Sequence, residues 1–293
     1  MVNDMPTENP QHGAEHTDAN QAGRLRRSGD DGFSLLEALV ASFMSVMVVG
    51  GMLVILDSLR DLHRDQQQLI DARMTTRLAL AQMRRDIQLA GIGLLGMLSP
   101  LPVIEPRDDG GIDIRYNSDN LTTRLTNDGA SAHFGVVDVS GFKVGMVVAV
   151  YDGTGAFDLT TLTKIEADKL HLHHDGGLSK TYTPADGAAV KQVQTTSYQL
   201  QTIGDGTFWL QRQQDNDTGQ PVATNVRSMT ITYYDDSNPS QAFTPVTLAD
   251  QLRVRTVEVT LVVETEDKRL NTTAERTVTL TVRIAPRSVL LAS

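Results

Sequence analysis

Cysteine is absent from all 293 residues. That absence excludes a disulfide framework, a thiolate metal site and a cysteine nucleophile. If the bulk of the chain is exported, it must fold on its hydrophobic core alone. Proline is missing between Pro10 and Pro100, so nothing of that kind interrupts a helix in between. Basic residues are the minority: the net charge is −10 and the pI about 5.1. This argues against general binding to nucleic acid, whose affinity comes largely from neutralised phosphates, and no nucleic-acid partner is expected. GxSxG, Walker A and HExxH motifs are all missing, and no internal repeat is present. The first 23 residues contain no aromatic residue, isoleucine or leucine. Such a segment buries too little apolar surface to order itself and reads as a tail or leader.

What the chain does contain is one long apolar run. Phe33 to Leu56 is 24 residues with a single charge, Glu37. As a helix it would be about 36 Å long, enough for a hydrocarbon core of about 30 Å. Arg24, Arg26 and Arg27 precede it, which predicts a cytoplasmic N-terminus and an extracytoplasmic remainder. A removed signal peptide would have a shorter apolar region and a small-residue cleavage site. Here the run passes straight into Asp57, Arg60, Asp61 and Arg64 in helical pattern, which points to a retained span. An ionisable residue inside such a segment is costly and marks function by default. The bland alternative is a glutamate reaching the headgroups.

The stretch "GFSLLEALVA", residues 32–41, resembles the type IV prepilin signature: glycine, phenylalanine, a short apolar stretch, glutamate, then a long apolar helix. The resemblance implies cleavage after Gly32 by a membrane prepilin peptidase and N-methylation of the new amine of Phe33. It further implies that Glu37 pairs with the amine of a neighbouring subunit and so sets register in a filament. Asp30 and Asp31 stand before the glycine where the family has basic or small polar residues, and the mid-helix proline of many major pilins is missing.

Beyond Leu56 the apolar residues Leu59, Leu62, Leu69, Ile70, Met74, Leu78, Ala81 and Ile87 recur at helical spacing and predict one buried face. Gly91, Gly93, Gly96 and Pro100 end the pattern. "RRDIQLAGIG", 84–93, resembles the end of the helical stem in PilW-like minor pilins. From about Leu101 the period becomes two. "RTVTLTVRI" (276–284), "LRVRTVEVTLVVETED" (252–267) and "RSMTITYYD" (227–235) read as strands, with a shift of apolar face that predicts a bulge near Thr256. "KVGMVVAVYDG" (143–153) and "DKLHLHHDGG" (168–177) read as strands of a second, small β unit. "DDGG", "DGTG", "DDSNP" and "DNDTG" read as turns.

The expected architecture is α+β: a long N-terminal helix packed on a C-terminal antiparallel sheet, pilin-like, with an inserted β module at about 134–175. The expected parts are a cytoplasmic leader 1–32, a transmembrane half-helix 33–56, an amphipathic stem 57–95 and a β-rich head 96–293. The late strands resemble those of PilW-like minor pilins and J-type pseudopilins.

Candidate chemistry is sparse. His171 and His173 would share one face of a strand and His174 would point away. Two imidazoles without a further ligand make a weak site, so a solvated edge is expected and no metal. Trp209 with Phe208 reads as core packing. No cofactor and no catalysis are expected. The expected function is that of a minor pilin or pseudopilin, a structural or assembly-initiating subunit of a type IV pilus or type II secretion pseudopilus. Its expected partners are prepilin peptidase, other pilin or pseudopilin subunits and, before assembly, inner-membrane lipid. The alternative is a membrane-anchored extracytoplasmic binding module, and a tethered enzyme is a third reading; a mere tether needs neither the Gly32–Phe33 cut site nor Glu37.

Overall fold

The computed structural model describes residues 34–94, 101–129, 132–204, 207–265 and 277–287. Gly32 and Phe33, and with them the expected cleavage and methylation site, lie outside the described residues, as do Gly96 and Pro100. The chain divides into two units, Met1–Ser58 and Leu59–Ser293. Helix α1, Leu35–Leu89, contributes to both.

In the first unit every described residue of α1 is exposed. In the second, α1 buries Ala72, Thr76, Ala79, Leu80, Met83, Asp86 and Ile87. This is not the face the apolar spacing predicts. Leu59, Leu62, Ile70, Met74 and Leu78 are all exposed, and only Ile87 of the expected stripe is fully buried, with Leu69 packed beside the core. The sheet is covered instead by a face rich in small residues, which lets the helix approach the strands closely. The helix ends in a tight reversal with Gly91 and Gly93 at positive φ. A Cβ at Gly93 would stand 2.0 Å from the carbonyl oxygen of Asn117, so only glycine fits there.

Two antiparallel sheets follow. Strands β1 (Ile104–Pro106), β2 (Ile112–Tyr116), β9 (Gln194–Gly204), β10 (Thr207–Gln214), β11 (Gln220–Tyr234), β12 (Thr256–Glu264) and β13 (Thr277–Ile284) form a seven-stranded sheet in that order. Its inner face and α1 share one core, including Met83, Ile87, Ile112, Ile114, Tyr198, Leu210, Val257, Val259 and Leu261. β12 alternates perfectly between buried and half-buried positions. The expected bulge near Thr256 is not there: Leu252 and Val254 precede the strand, after the short helix α2 (Leu248–Gln251), so they belong to another element rather than to a shifted face. The register shift lies on β11, between Val226 and Ser228, beside Asn225 at φ 54°. Trp209 is also not core. Leu210 is buried while Trp209, next to it on β10, is 40% exposed on the opposite face.

The second sheet has the order β3 (Thr122–Arg124), β8 (Ala189–Gln192), β5 (Val147–Tyr151), β6 (Phe157–Glu166), β7 (His171–His174), β4 (His133–Gly135). It lies between β2 and β9 and is wider than the expected 134–175. Its flanking strands escape period-two reading because β3 has three residues and β8 is buried at every position. The outer strands meet: the Thr126 N–H donates to the Gly135 carbonyl at 2.8 Å and the Val137 N–H to that of Arg124 at 3.0 Å. These bonds curl the sheet into a small barrel around Phe134, Val148, Val150, Leu162, Leu172, Tyr182 and Val190 and bring its two outer strands together.

A fragment beginning at Asp57 retains both sheets and the helix face that covers the larger one. It is expected to stay in the supernatant after ultracentrifugation without detergent and to show a β-dominated far-ultraviolet spectrum with residual helix. Sedimentation of that fragment with membranes would show that Phe33–Leu56 is not what holds the chain there.

Candidate functional site

The first turn of α1 starts at Ser34, whose carbonyl accepts the N–H groups of Glu37 (2.8 Å) and Ala38 (3.1 Å). Glu37 therefore sits at the positive end of the helix, where exposed N–H groups favour a carboxylate. Behind it, the helix runs on as a long apolar stretch that is exposed throughout. The helix is thus long and apolar enough to cross a membrane. The hydroxyls within it are already satisfied: Ser42 donates to the Leu39 carbonyl at 2.9 Å and Ser45 to that of Ala41 at 2.8 Å. In hydrocarbon that matters, because no water replaces a missing partner there. Backbone and hydroxyls close on themselves, leaving Glu37 as the one charge of the segment.

Further along α1, the buried Asp86 joins the helix to two strands. Its Oδ2 accepts from the Tyr198 hydroxyl at 2.6 Å and from Arg212 Nε at 2.7 Å. Burial, reinforced by the adjacent carboxylate, pushes the Tyr198 phenol far above its ordinary value. Burial alone would lower Arg212, but the hydrogen bond and charge of Asp86 outweigh it and raise the guanidinium. The group is a salt bridge that also accepts the Tyr198 hydroxyl, and its role is to fix helix on sheet. Asp86 lies within "RRDIQLAGIG", where helical spacing counts apolar residues and so passes over an inward-facing acid.

The histidines are arranged differently from a solvated edge. β7 is flanked on both sides, by β6 and β4. Leu172 and His174 point into the barrel, where His174 stacks on Phe134 with ring centres 4.3 Å apart. His171 and His173 lie on the other face, half-buried. Register then adds two residues that sequence spacing missed. His133 on β4 is directly opposite His173, and its ring centre is 4.3 Å from that of His171 and 5.3 Å from that of His173. Glu166, at the end of β6, is opposite His171. Lys164, and then Lys169 at 3.0 Å, hold the Glu166 carboxyl down to about 2. Burial, then His171 and His173, lower the pKa of His133. Glu166 escapes sequence spacing because the reversal at 167–170 that sets it against His171 turns on Leu170 at φ 53°. His133 lies 38 residues before His171, and no local pattern marks it.

No protein-family model, no curated protein and no solved structure matches the chain.

Proposed function

We propose that the protein is a minor pilin or pseudopilin: a membrane-inserted precursor, cut after Gly32 and methylated at Phe33, that enters a type IV pilus or type II secretion pseudopilus. The observation that carries this reading is Glu37 in the first turn of an exposed, uninterrupted apolar helix, directly behind "GF". An anchor for a binding module needs the apolar helix but gains nothing from a carboxylate five residues after a glycine. The second unit adds support of a different kind. Its stretch of α1 buries the face of Ala72, Thr76, Ala79, Leu80, Met83 and Ile87 and leaves Leu59, Leu62, Ile70, Met74 and Leu78 outside. Apolar side chains at helical spacing on an uncovered face suit packing against other helices, as a filament of such subunits requires. The α+β architecture, a long N-terminal helix followed by antiparallel sheets, is compatible with a pilin-like subunit.

Mass spectrometry of the protein from its own cells tests the reading. The expected mature form begins at Phe33 and carries one added methyl on its α-amine. Gly32→Leu is expected to leave full-length precursor in the membrane fraction, because a branched side chain blocks close approach of the peptidase to the backbone. An intact leader on assembled protein, or a terminus at another position, overturns the proposal.

A further inference from the structure

The half-buried face of the barrel carries nitrogen and oxygen donors from adjacent strands. One atom each of Glu166, His171 and His173 can be chosen so that all three lie within 4.8 Å of one another. We propose that these three residues bind a single zinc-type divalent ion, with the His133 ring tilted against His171 as the wall that orients it. The inference is independent of the filament reading, since it rests on the barrel alone.

Three observations converge on it. His173 Nε2 is buried and makes no hydrogen bond; Glu166 Oε1 lies 3.6 Å from it, beyond hydrogen-bond reach. A buried imidazole nitrogen left in that condition is costly unless something coordinates it. Glu166, opposite His171, brings a carboxylate to the same face, where Lys164 and Lys169 pair with it. Register places all the residues on rigid, paired strands: His133 against His173, and Glu166 against His171. A site spread over a hairpin and its neighbour is organised before the ion arrives.

The donor set selects the ion. Two imidazoles and one carboxylate match the ligands of zinc, which bind at about 2.0–2.2 Å in tetrahedral geometry. Such a site keeps a fourth position for water. Calcium and magnesium require more oxygens than are present. Binding has to draw the three donors to roughly 3.3 Å apart, the edge of a tetrahedron with those bond lengths. It also has to displace the ammonium groups of Lys164 and Lys169 from Glu166. Both lysines are more than 60% exposed and can turn into solvent. The ion would clip β6 to β7 on the outside of the barrel.

The experiment titrates full-length, untagged protein in detergent micelles with zinc chloride alone, by calorimetry, after removal of metals with chelator. One zinc per chain is expected, with no comparable binding of magnesium or calcium. The double variant His171→Gln/His173→Gln is expected to lose the site. Glu166→Gln, nearly isosteric, is expected to weaken it by more than about tenfold, since losing even a group that only supports a ligand costs about 10–100-fold. Far-ultraviolet spectra check that both variants keep the wild-type fold. His12→Gln/His16→Gln serves as the control for the other histidine pair, in the N-terminal segment, and is expected to bind as wild type does. The proposal is overturned by absence of zinc uptake in the wild type, by unchanged uptake in folded His171→Gln/His173→Gln, by loss of uptake in His12→Gln/His16→Gln, or by magnesium binding as tight as zinc.

Discussion

Replacing Asp86 by alanine is expected to destabilise the second unit by about 3 kcal/mol. Removing one partner of a buried ion pair generally costs about 3–5 kcal/mol, because the remaining charge is left without compensation. The lower end applies here, since the Arg212 side chain keeps 21% of its surface exposed and recovers some hydration. The Tyr198 hydroxyl loses its acceptor as well, in a position with no exposure. For a unit of this size, 3 kcal/mol lowers the melting temperature by roughly 6–12 °C, readable by calorimetry on the fragment from Asp57. Asp86→Asn keeps an acceptor for Tyr198 without the charge and should fall between. The triple change Asp86→Leu/Tyr198→Phe/Arg212→Met should recover much of the loss, because apolar residues of similar size often replace a buried pair at little cost. A loss under about 1 kcal/mol for Asp86→Ala would mean that helix and sheet are held by apolar packing alone.

A long apolar N-terminal helix followed by antiparallel strands was legible because each has its own period. The apolar run from Leu35 and the helical pattern after it both fall on the single helix α1, and alternation marks the strands that follow. The face of the stem was not legible. Leu59, Leu62, Ile70, Met74 and Leu78 carry more hydrophobicity than Ala72, Thr76 and Ala79, so spacing selects the wrong side. Close approach to a sheet rewards small residues, and Asp86 lies inward because Tyr198 and Arg212, over a hundred residues away, satisfy it. Propensity cannot contain that information. The late strands β11, β12 and β13 were visible as alternation, while β3, β4 and β8 were too short or too uniformly buried to alternate.

The histidine cluster shows the same limit from another side. "HLHH" was readable as a strand, and the shared face of His171 and His173 followed from its pleat. The partners that change its meaning came from register. Glu166 arrives through a hairpin whose reversal includes Leu170 at φ 53°, an unusual conformation for leucine that sequence does not announce. His133 arrives because the sheet curls until β4 lies next to β7. One-dimensional spacing set His171 and His173 on one face, and pairing added Glu166 and His133 beside them.

Glu37→Leu is expected to be inserted and cleaved like wild type yet to enter filaments about tenfold less. Insertion should hold because the substitution raises the apolarity of a span already long enough to cross. Cleavage should hold because Gly32 and Phe33 are untouched. Assembly should fail because the carboxylate is the only group of the apolar segment able to neutralise a neighbouring subunit's N-terminal amine. Leaving that amine unpaired beside hydrocarbon carries a cost, and a pair worth 1.4 kcal/mol corresponds to a factor of ten in equilibrium. A purely local role is separable from this. If Glu37 serves only the exposed N–H groups of the first turn, worth about 0.3–1 kcal/mol, Glu37→Asp should match wild type, because a shorter acid still meets its own helix end. If it reaches a neighbour, Glu37→Asp should fall between wild type and Glu37→Leu, since it has lost one methylene of reach. Glu37→Gln, which keeps length without charge, should behave like Glu37→Leu. The measurement is the ratio of protein in sheared filaments or pseudopili to protein in the membrane pool for each variant. Equal ratios for wild type and Glu37→Leu would reduce Glu37 to a residue of the membrane interface.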